Sequence, residues 1–163
     1  MCSSDLFGQA TEPTIGERAA KASLIVPDAV ADLSLPLRLI ERSVTGTEKH
    51  WAYSWFLMSK GMAEYRAGRF AQAVDWLRKG EAGQREPVPR AEARLFLAMA
   101  YQKLGRGDEA RRTLDEAVQI MDTQLPKEAD GNIGEILLDW VFCQVVRREA
   151  EAVIAGKDAE QAR

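Results

Sequence analysis

Gly61-Met-Ala-Glu-Tyr-Arg-Ala-Gly-Arg-Phe-Ala-Gln-Ala-Val-Asp-Trp-Leu-Arg-Lys-Gly80 aligns without gaps on Ala98-Met-Ala-Tyr-Gln-Lys-Leu-Gly-Arg-Gly-Asp-Glu-Ala-Arg-Arg-Thr-Leu-Asp-Glu-Ala117, 37 residues further on. Agreement falls where a helical hairpin needs it. Gly68 and Gly105 take the turn; Ala73/Ala110 and Leu77/Leu114 take one face of a second helix. A repeat of this length is the mark of a helical-hairpin solenoid, in which each unit buries its apolar face against the next. The expected fold is therefore all-α, a helical-hairpin solenoid of about seven helices.

Working outward, helix limits follow from stop and start signals. Around Gly61 one helix is expected from about Glu48 to Ala67, carrying Trp51, Trp55, Phe56, Met58, Met62 and Tyr65. Gly61 costs about 1 kcal/mol relative to Ala inside a helix, and a close crossing of the partner helix is the reason to keep it. Gly68 ends that helix, because Gly takes a left-handed C-terminal conformation freely. The partner helix runs from about Phe70 to Glu81, with Ala73, Leu77 and Gly80 inward. Pro89 suits the first turn of the next helix, which runs to about Leu104 with Ala91, Leu95, Leu97, Ala98 and Tyr101. Asp108 opens its partner, with Ala110, Leu114, Ala117 and Val118. Upstream, Thr14-Ile-Gly-Glu17 reads as a capping box for a helix that Pro27-Asp28 stops near Val26. Asp32 or Ser34 caps a second helix, with Pro36 in its first turn. Downstream, a helix over about Asn132–Ile154 closes the stack, with a polar outer face from Arg147 onward.

The domain reading is accordingly a non-native or disordered segment over 1–13 and a repeat domain over 14–155, followed by a frayed tail over 156–163. The domain divides into a degenerate repeat (14–46), two repeats (47–84 and 88–122) and a closing helix (132–155). Met1-Cys-Ser-Ser-Asp-Leu-Phe-Gly8 resembles adaptor read-through, so the natural protein is expected to begin upstream.

These repeats resemble the tetratricopeptide repeat, and the resemblance implies a right-handed superhelix. That pattern asks for Leu-Gly-x-x-Tyr in the first helix, Ala-x-x-x-Phe in the second, then Pro. Leu97-Ala98-x-x-Tyr101 meets the first part; in the earlier repeat Gly61 is present but Glu64 stands where Tyr belongs. Ala73-x-x-x-Leu77 and Ala110-x-x-x-Leu114 meet the second part with Leu for Phe, and Pro87 and Pro126 come late. The stretches Arg18 to Asp28, Ala63 to Lys79, Leu97 to Gly105 and Asp139 to Ala150 also resemble the C-terminal repeat tail of planctomycete-type bacterial serine/threonine protein kinases. That resemblance implies a kinase domain upstream in an intact signalling protein, and no activity for this piece.

Chemistry is not indicated. The chain has no His-Arg-Asp loop, Asp-Phe-Gly or Gly-rich loop after a strand, so phosphoryl transfer has no machinery in it. Gly105-Arg-Gly-Asp-Glu-Ala110 reads superficially as a dinucleotide fingerprint, but a helix precedes it where a strand is required. His50 is the only histidine and has no Cys/His cluster beside it. No catalytic residue, cofactor or metal site is expected. A net charge of -3 with mixed signs offers no basic stripe for nucleic acid or an anionic membrane. Cys2 and Cys143, two cysteines without regular spacing, suit a reducing compartment, and Cys143 lies in an apolar helical run. No apolar run reaches the ~18 residues of a membrane span and no secretory signal is visible, so a cytoplasmic location is expected.

The remaining expectation is a partner surface. In the repeats that this chain resembles, the first helix of each pair lines a groove. That places Trp55, Met58, Met62, Tyr65 and Arg66 in one stripe and Glu92, Leu95, Met99, Gln102 and Lys103 in the next. Met and aromatic groups fit an apolar, adaptable protein or peptide partner. Lys and Asn grips for chaperone C-terminal carboxylates are missing where Met58, Met62, Leu95 and Met99 stand. The same stripe could equally pack against the first helix pair or the closing helix. Three functions stay open: a protein–protein interaction module, a cis-regulatory tail of an upstream kinase, and self-association through the Trp-rich faces.

Overall fold

The computed structural model describes residues 12–127 and 137–156. Among them are seven helices and no strand: α1 (Pro13–Ala22), α2 (Ser34–Val44), α3 (Tyr53–Arg66), α4 (Phe70–Ala82), α5 (Pro87–Lys103), α6 (Gly107–Gln124) and α7 (Leu137–Ile154). They fall into two compact units, one ending at Gly83 with α1 to α4 and one beginning at Gln84 with α5 to α7. The all-α, helical-hairpin expectation holds. Cys2, Asn132, Ile133 and Ile136 lie outside the described residues.

The two quoted segments fold alike down to the turn. Gly68 and Gly105 both sit at φ +75°, a conformation that costs a side-chain-bearing residue a clash with its own backbone. The Gly68 N–H donates to Tyr65 O at 3.0 Å and the Arg69 N–H to Glu64 O at 2.9 Å. In the second hairpin the Gly105 N–H donates to Gln102 O at 3.0 Å and the Arg106 N–H to Tyr101 O at 2.9 Å. Each pair satisfies orphan carbonyls at the helix end in the Schellman pattern. The chain then starts the next helix at once, as Arg69 O and Arg106 O accept from Ala73 N and Ala110 N, both at 3.0 Å.

In the first unit α3 and α4 cross at glycines. A Cβ on Gly61 would lie 2.5 Å from Leu77 Cγ and 2.9 Å from Leu77 N. One on Gly80 would lie 2.6 Å from Met58 Cγ and 2.8 Å from Met58 N. Ala73, Leu77 and Gly80 are the buried stripe of α4, as the spacing predicts. α1 and α2 pack on each other, and both pack on α3. Leu24, Leu39, Ile40 and Phe56 are among the buried side chains there.

Several boundaries differ from expectation. α1 begins at Pro13, so Thr14 is already inside the helix and no capping box forms. Glu17 instead turns inward, buried, and accepts from the Ser59 hydroxyl. α1 also stops at Ala22, not Val26: Ser23 N and Leu24 N donate three residues back to Ala20 O and Lys21 O, both at 2.9 Å, and beyond that turn Leu24 O and Ile25 O accept from Arg66 Nε and Nη2 at 2.7 and 2.8 Å. Neither Asp32 nor Ser34 is the N-cap of α2, which is Leu33. Asp32 still serves that end, accepting from Ser34 N at 2.8 Å and Ser34 Oγ at 2.7 Å. Those bonds hold its carboxyl below the ordinary range. α3 starts at Tyr53, leaving 48–52 in turns. α5 starts two residues before Pro89, with Pro87 in its first turn.

In the second unit α5 packs on α6 and α7. α7 buries Cys143, Val146 and Ala150 at spacings of three and four. Cys143 Sγ donates to Val88 O at 3.7 Å, Trp140 Nε1 to Pro126 O at 2.9 Å, and Arg147 pairs with Asp122 of α6 at 3.0 Å. The outer face of α7 is polar from Arg148 onward, but its first two turns expose Leu137, Leu138 and Val141.

Two outcomes follow for stability. Gly61→Ala and Gly80→Ala each gain helix propensity of about 1 kcal/mol yet place a methyl against helix backbone. A net loss of about 1 to 3 kcal/mol is expected in urea unfolding, whereas a crossing that opens freely would give a gain. Cys143, fully buried, is expected to resist a thiol reagent in native Cys2→Ser protein and to react on denaturation; native labelling would refute this packing.

Candidate partner-binding surface

The first unit's expected stripe lies on α3. Met58 and Met62 are each 1% exposed and Tyr65 is buried. Met58 lies under Gly80, and the Tyr65 ring meets Phe70 with centroids 5.5 Å apart. Trp55 and Arg66 keep partial exposure. Lys21 Nζ stands 5.3 Å from the Trp55 ring centre, an arrangement favoured by the ring's electron-rich face. Arg66 is spent on the carbonyls of Leu24 and Ile25.

In the second unit Leu95 and Met99 are fully buried and Glu92 is 1% exposed. Gln102 is half-buried, and Lys103, next to the turn, is exposed. Six of the ten residues of the two stripes (Met58, Met62, Tyr65, Glu92, Leu95 and Met99) therefore belong to the core and do not line an open groove. The physical reason is visible on α5, where Leu95 to Tyr101 is buried at every position. A helix apolar all round is a core helix. The residues retaining surface are Trp55 and Arg66 in one unit and Gln102 and Lys103 in the other.

Apolar spacing alone puts Trp51 inside a helix, and the structure puts it elsewhere. Trp51 is 78% exposed and lies in the turns before α3. His50 N donates to Thr47 O at 2.8 Å and Tyr53 N to His50 O at 3.0 Å. His50 Nδ1 accepts from Ala52 N at 3.1 Å, which assigns its proton to Nε2 when neutral. The imidazole lies 5.6 Å from the Trp51 ring and 5.2 Å from the buried Phe56 ring. The only histidine thus orders the entry to α3, with the exposed Trp51 ring beside its imidazole. Thr45-Gly-Thr47 is the signal that the chain turns there; the apolar residues after it mask how far the turn extends.

Charge near the first turn is organised in a chain. Lys60 Nζ pairs with Glu41 Oε2 at 2.5 Å and Glu64 Oε1 at 3.2 Å, and Glu64 Oε2 also accepts from Arg69 Nε. Burial pushes the Glu64 carboxyl up, but the bonds from Arg69 and Lys60 outweigh it and hold it below the ordinary carboxylate range. Burial pushes Lys60 down, and its two glutamates outweigh that and raise it. These are structural pairs; among the described residues no group of three His, Cys, Asp or Glu is placed to hold a metal. No helix among them is long and apolar enough to cross a membrane.

The tetratricopeptide repeat family model matches residues 64–129. That span runs from the last turn of α3 through α4, α5 and α6, and its helical hairpins are of the kind this family builds. Tetratricopeptide domains are generally non-catalytic scaffolds for protein or peptide binding. No curated protein and no solved structure matches the chain.

The burial of the stripe has a direct consequence. Met58→Glu puts a charge where no water reaches, and a loss of about 3 kcal/mol or more is expected, read as a fall in the urea midpoint. Lys103→Glu is expected to shift the same midpoint by no more than about 0.5 kcal/mol.

Proposed function

We propose that this chain is a protein–protein interaction module within a larger bacterial signalling protein. The family match over residues 64–129 carries the first part of this reading. The resemblance to bacterial kinase tails supports the second, and with it a regulatory role on a kinase domain of the same protein. Partner contact uses the side chains that keep surface. In the first unit these are Trp51, beside His50, and the edge of Trp55; in the second they are Gln102 and Lys103. A rigid aromatic presented to solvent is the type of residue that anchors interfaces, since it buries a large area at little entropic cost. Lys103 adds charge steering at a turn. The partner is a protein or peptide with an apolar contact face. The cytoplasm is the compartment this reading requires, and neither cofactor nor nucleic acid enters it.

Self-association is the second reading, favoured by the exposure of Trp51 on the one unit and of Leu137, Leu138 and Val141 on the other. Light scattering separates the two: a mass that rises with concentration supports self-association, and a constant monomer mass supports binding of a different protein.

The main test is capture from source cells on the immobilised chain, beside Trp51→Ala and Lys103→Glu. The expected result is a discrete protein retained by the wild type and reduced at least about tenfold by Trp51→Ala, corresponding to an anchor worth more than about 1 kcal/mol. Both variants should keep the wild-type melting temperature. A partner bound equally by all three proteins would remove Trp51 and Lys103 from the surface. Failure to retain any protein specifically would sink the binding role.

A further inference from the structure

The two hairpins share one turn frame but close it with different chemistry. Residues 64 and 101 occupy equivalent places, each accepting a backbone bond from the arginine five positions on. That arginine then folds back over the same residue. Arg69 Nε donates to the Glu64 carboxylate, while the Arg106 guanidinium lies 4.5 Å from the centre of the Tyr101 ring. Glu64 and Tyr101 are both buried, at 5% and 4% exposure. A carboxylate clasp needs its charge; a phenol ring attracts a guanidinium through its face whether or not a carboxylate is near.

We infer that Glu64 makes the α3–α4 turn an acid-sensitive clasp, whereas Tyr101 makes the α5–α6 turn an acid-resistant one. The groups facing Glu64 are Lys60 on its own helix and Arg69 at the start of α4, with Glu41 of α2 reached through Lys60. Protonating Glu64 removes one member of this chain and leaves Lys60 and Arg69 each without a carboxylate there. Lys60 retains Glu41; Arg69 retains no ion pair among the described residues. A carboxyl held low by its partners contributes stability that is complete above the ordinary carboxylate range. That contribution is lost as pH falls through the lowered value. The clasp is thus closed at neutral pH and opens only in acid. In the second turn Arg106 also donates from Nε and Nη2 to the two carboxylate oxygens of Glu109, each at 2.6 Å. That pair is exposed, and its loss leaves the stacked ring in place.

The two turns are each other's control within one molecule. Amide exchange at Gly68 and Arg69 is compared with that at Gly105 and Arg106 in the full chain at pH 7 and over a descending acid series that runs well below the ordinary carboxylate range, each corrected for its intrinsic rate. Protection at the first pair is expected to fall about tenfold more than at the second, the size of a lost charge-assisted bond. Glu64→Tyr, which copies the second turn into the first, is expected to abolish the difference. Glu64→Gln is expected to show the reduced protection already at pH 7, with no further excess loss along the acid series. Equal loss at both turns in the wild type overturns the proposal, as does a difference that survives in Glu64→Tyr. If Glu64→Tyr does not fold, excess acid loss persisting in Glu64→Gln overturns it equally.

Discussion

Everything in the two hairpins hangs on a left-handed residue between helices. At φ +75° Gly68 and Gly105 reverse the chain in so few atoms that only one residue, the N-cap Arg69 or Arg106, separates each from the next helix. The reversal also supplies the donors that the preceding helix end lacks, through Gly68 and Arg69 N–H and their counterparts. Because those bonds are backbone to backbone, the geometry tolerates different side chains around it. Glu64 and Tyr101, or Phe70 and Gly107, occupy matching places without changing the turn. The two repeats thus share a backbone constraint more than they share side-chain identity.

The helix crossing is the point where the hairpins part. In the first, Gly61 and Gly80 let α3 and α4 approach until an added Cβ would touch the opposing backbone. At the matching places the second hairpin has Ala98 and Ala117, both fully buried, so α5 and α6 accommodate a methyl from each side. The glycines cost helix propensity of about 1 kcal/mol each, and the close approach is what that cost obtains: Leu77 and Met58 are pressed against the opposite helix with no gap. This packing also explains why Met58 is core, since Gly80 and Met58 are partners in one crossing.

Much of this was legible in the sequence, and the limits are physical. The ends at Gly68 and Gly105 could be read because only glycine suits that dihedral region, and Ala73, Leu77 and Gly80 because α4 has a polar face that orients its apolar one. The end of α1 could not be read, because the segment after it is held from far along the chain, by Arg66, 42 residues away from Leu24. The capping box failed because Pro13 starts the helix before Thr14, and because Glu17 finds a better partner in Ser59. The candidate surface was the least legible. Periodicity tells an inner face from an outer one only when the outer face is polar, and Leu95 to Tyr101 offers no such contrast. Trp51 failed in the opposite sense: an apolar residue with helical-core spacing stands in solvent, since His50 and the turn bonds decide where α3 begins.

The buried stripe and the exposed tryptophan bear on recognition together. A methionine stripe attracts attention as an adaptable surface, but adaptability is of use only to a side chain that can reach a partner. Met58 and Met62 cannot reach one without breaking the α3–α4 crossing, and that exchange would forfeit core packing for whatever the partner offered. Trp51 carries no such cost. Its ring is already outside, it lies beside His50, which itself rests near Phe56, and covering it removes apolar surface from water without disturbing a helix. A binding energy assembled from Trp51 adds to the fold's stability, whereas one assembled from the buried stripe competes with it. On this ground the proposed binding role falls to turns and helix ends, such as those of Trp51 in the one unit and Lys103 in the other, and not to the helix interiors.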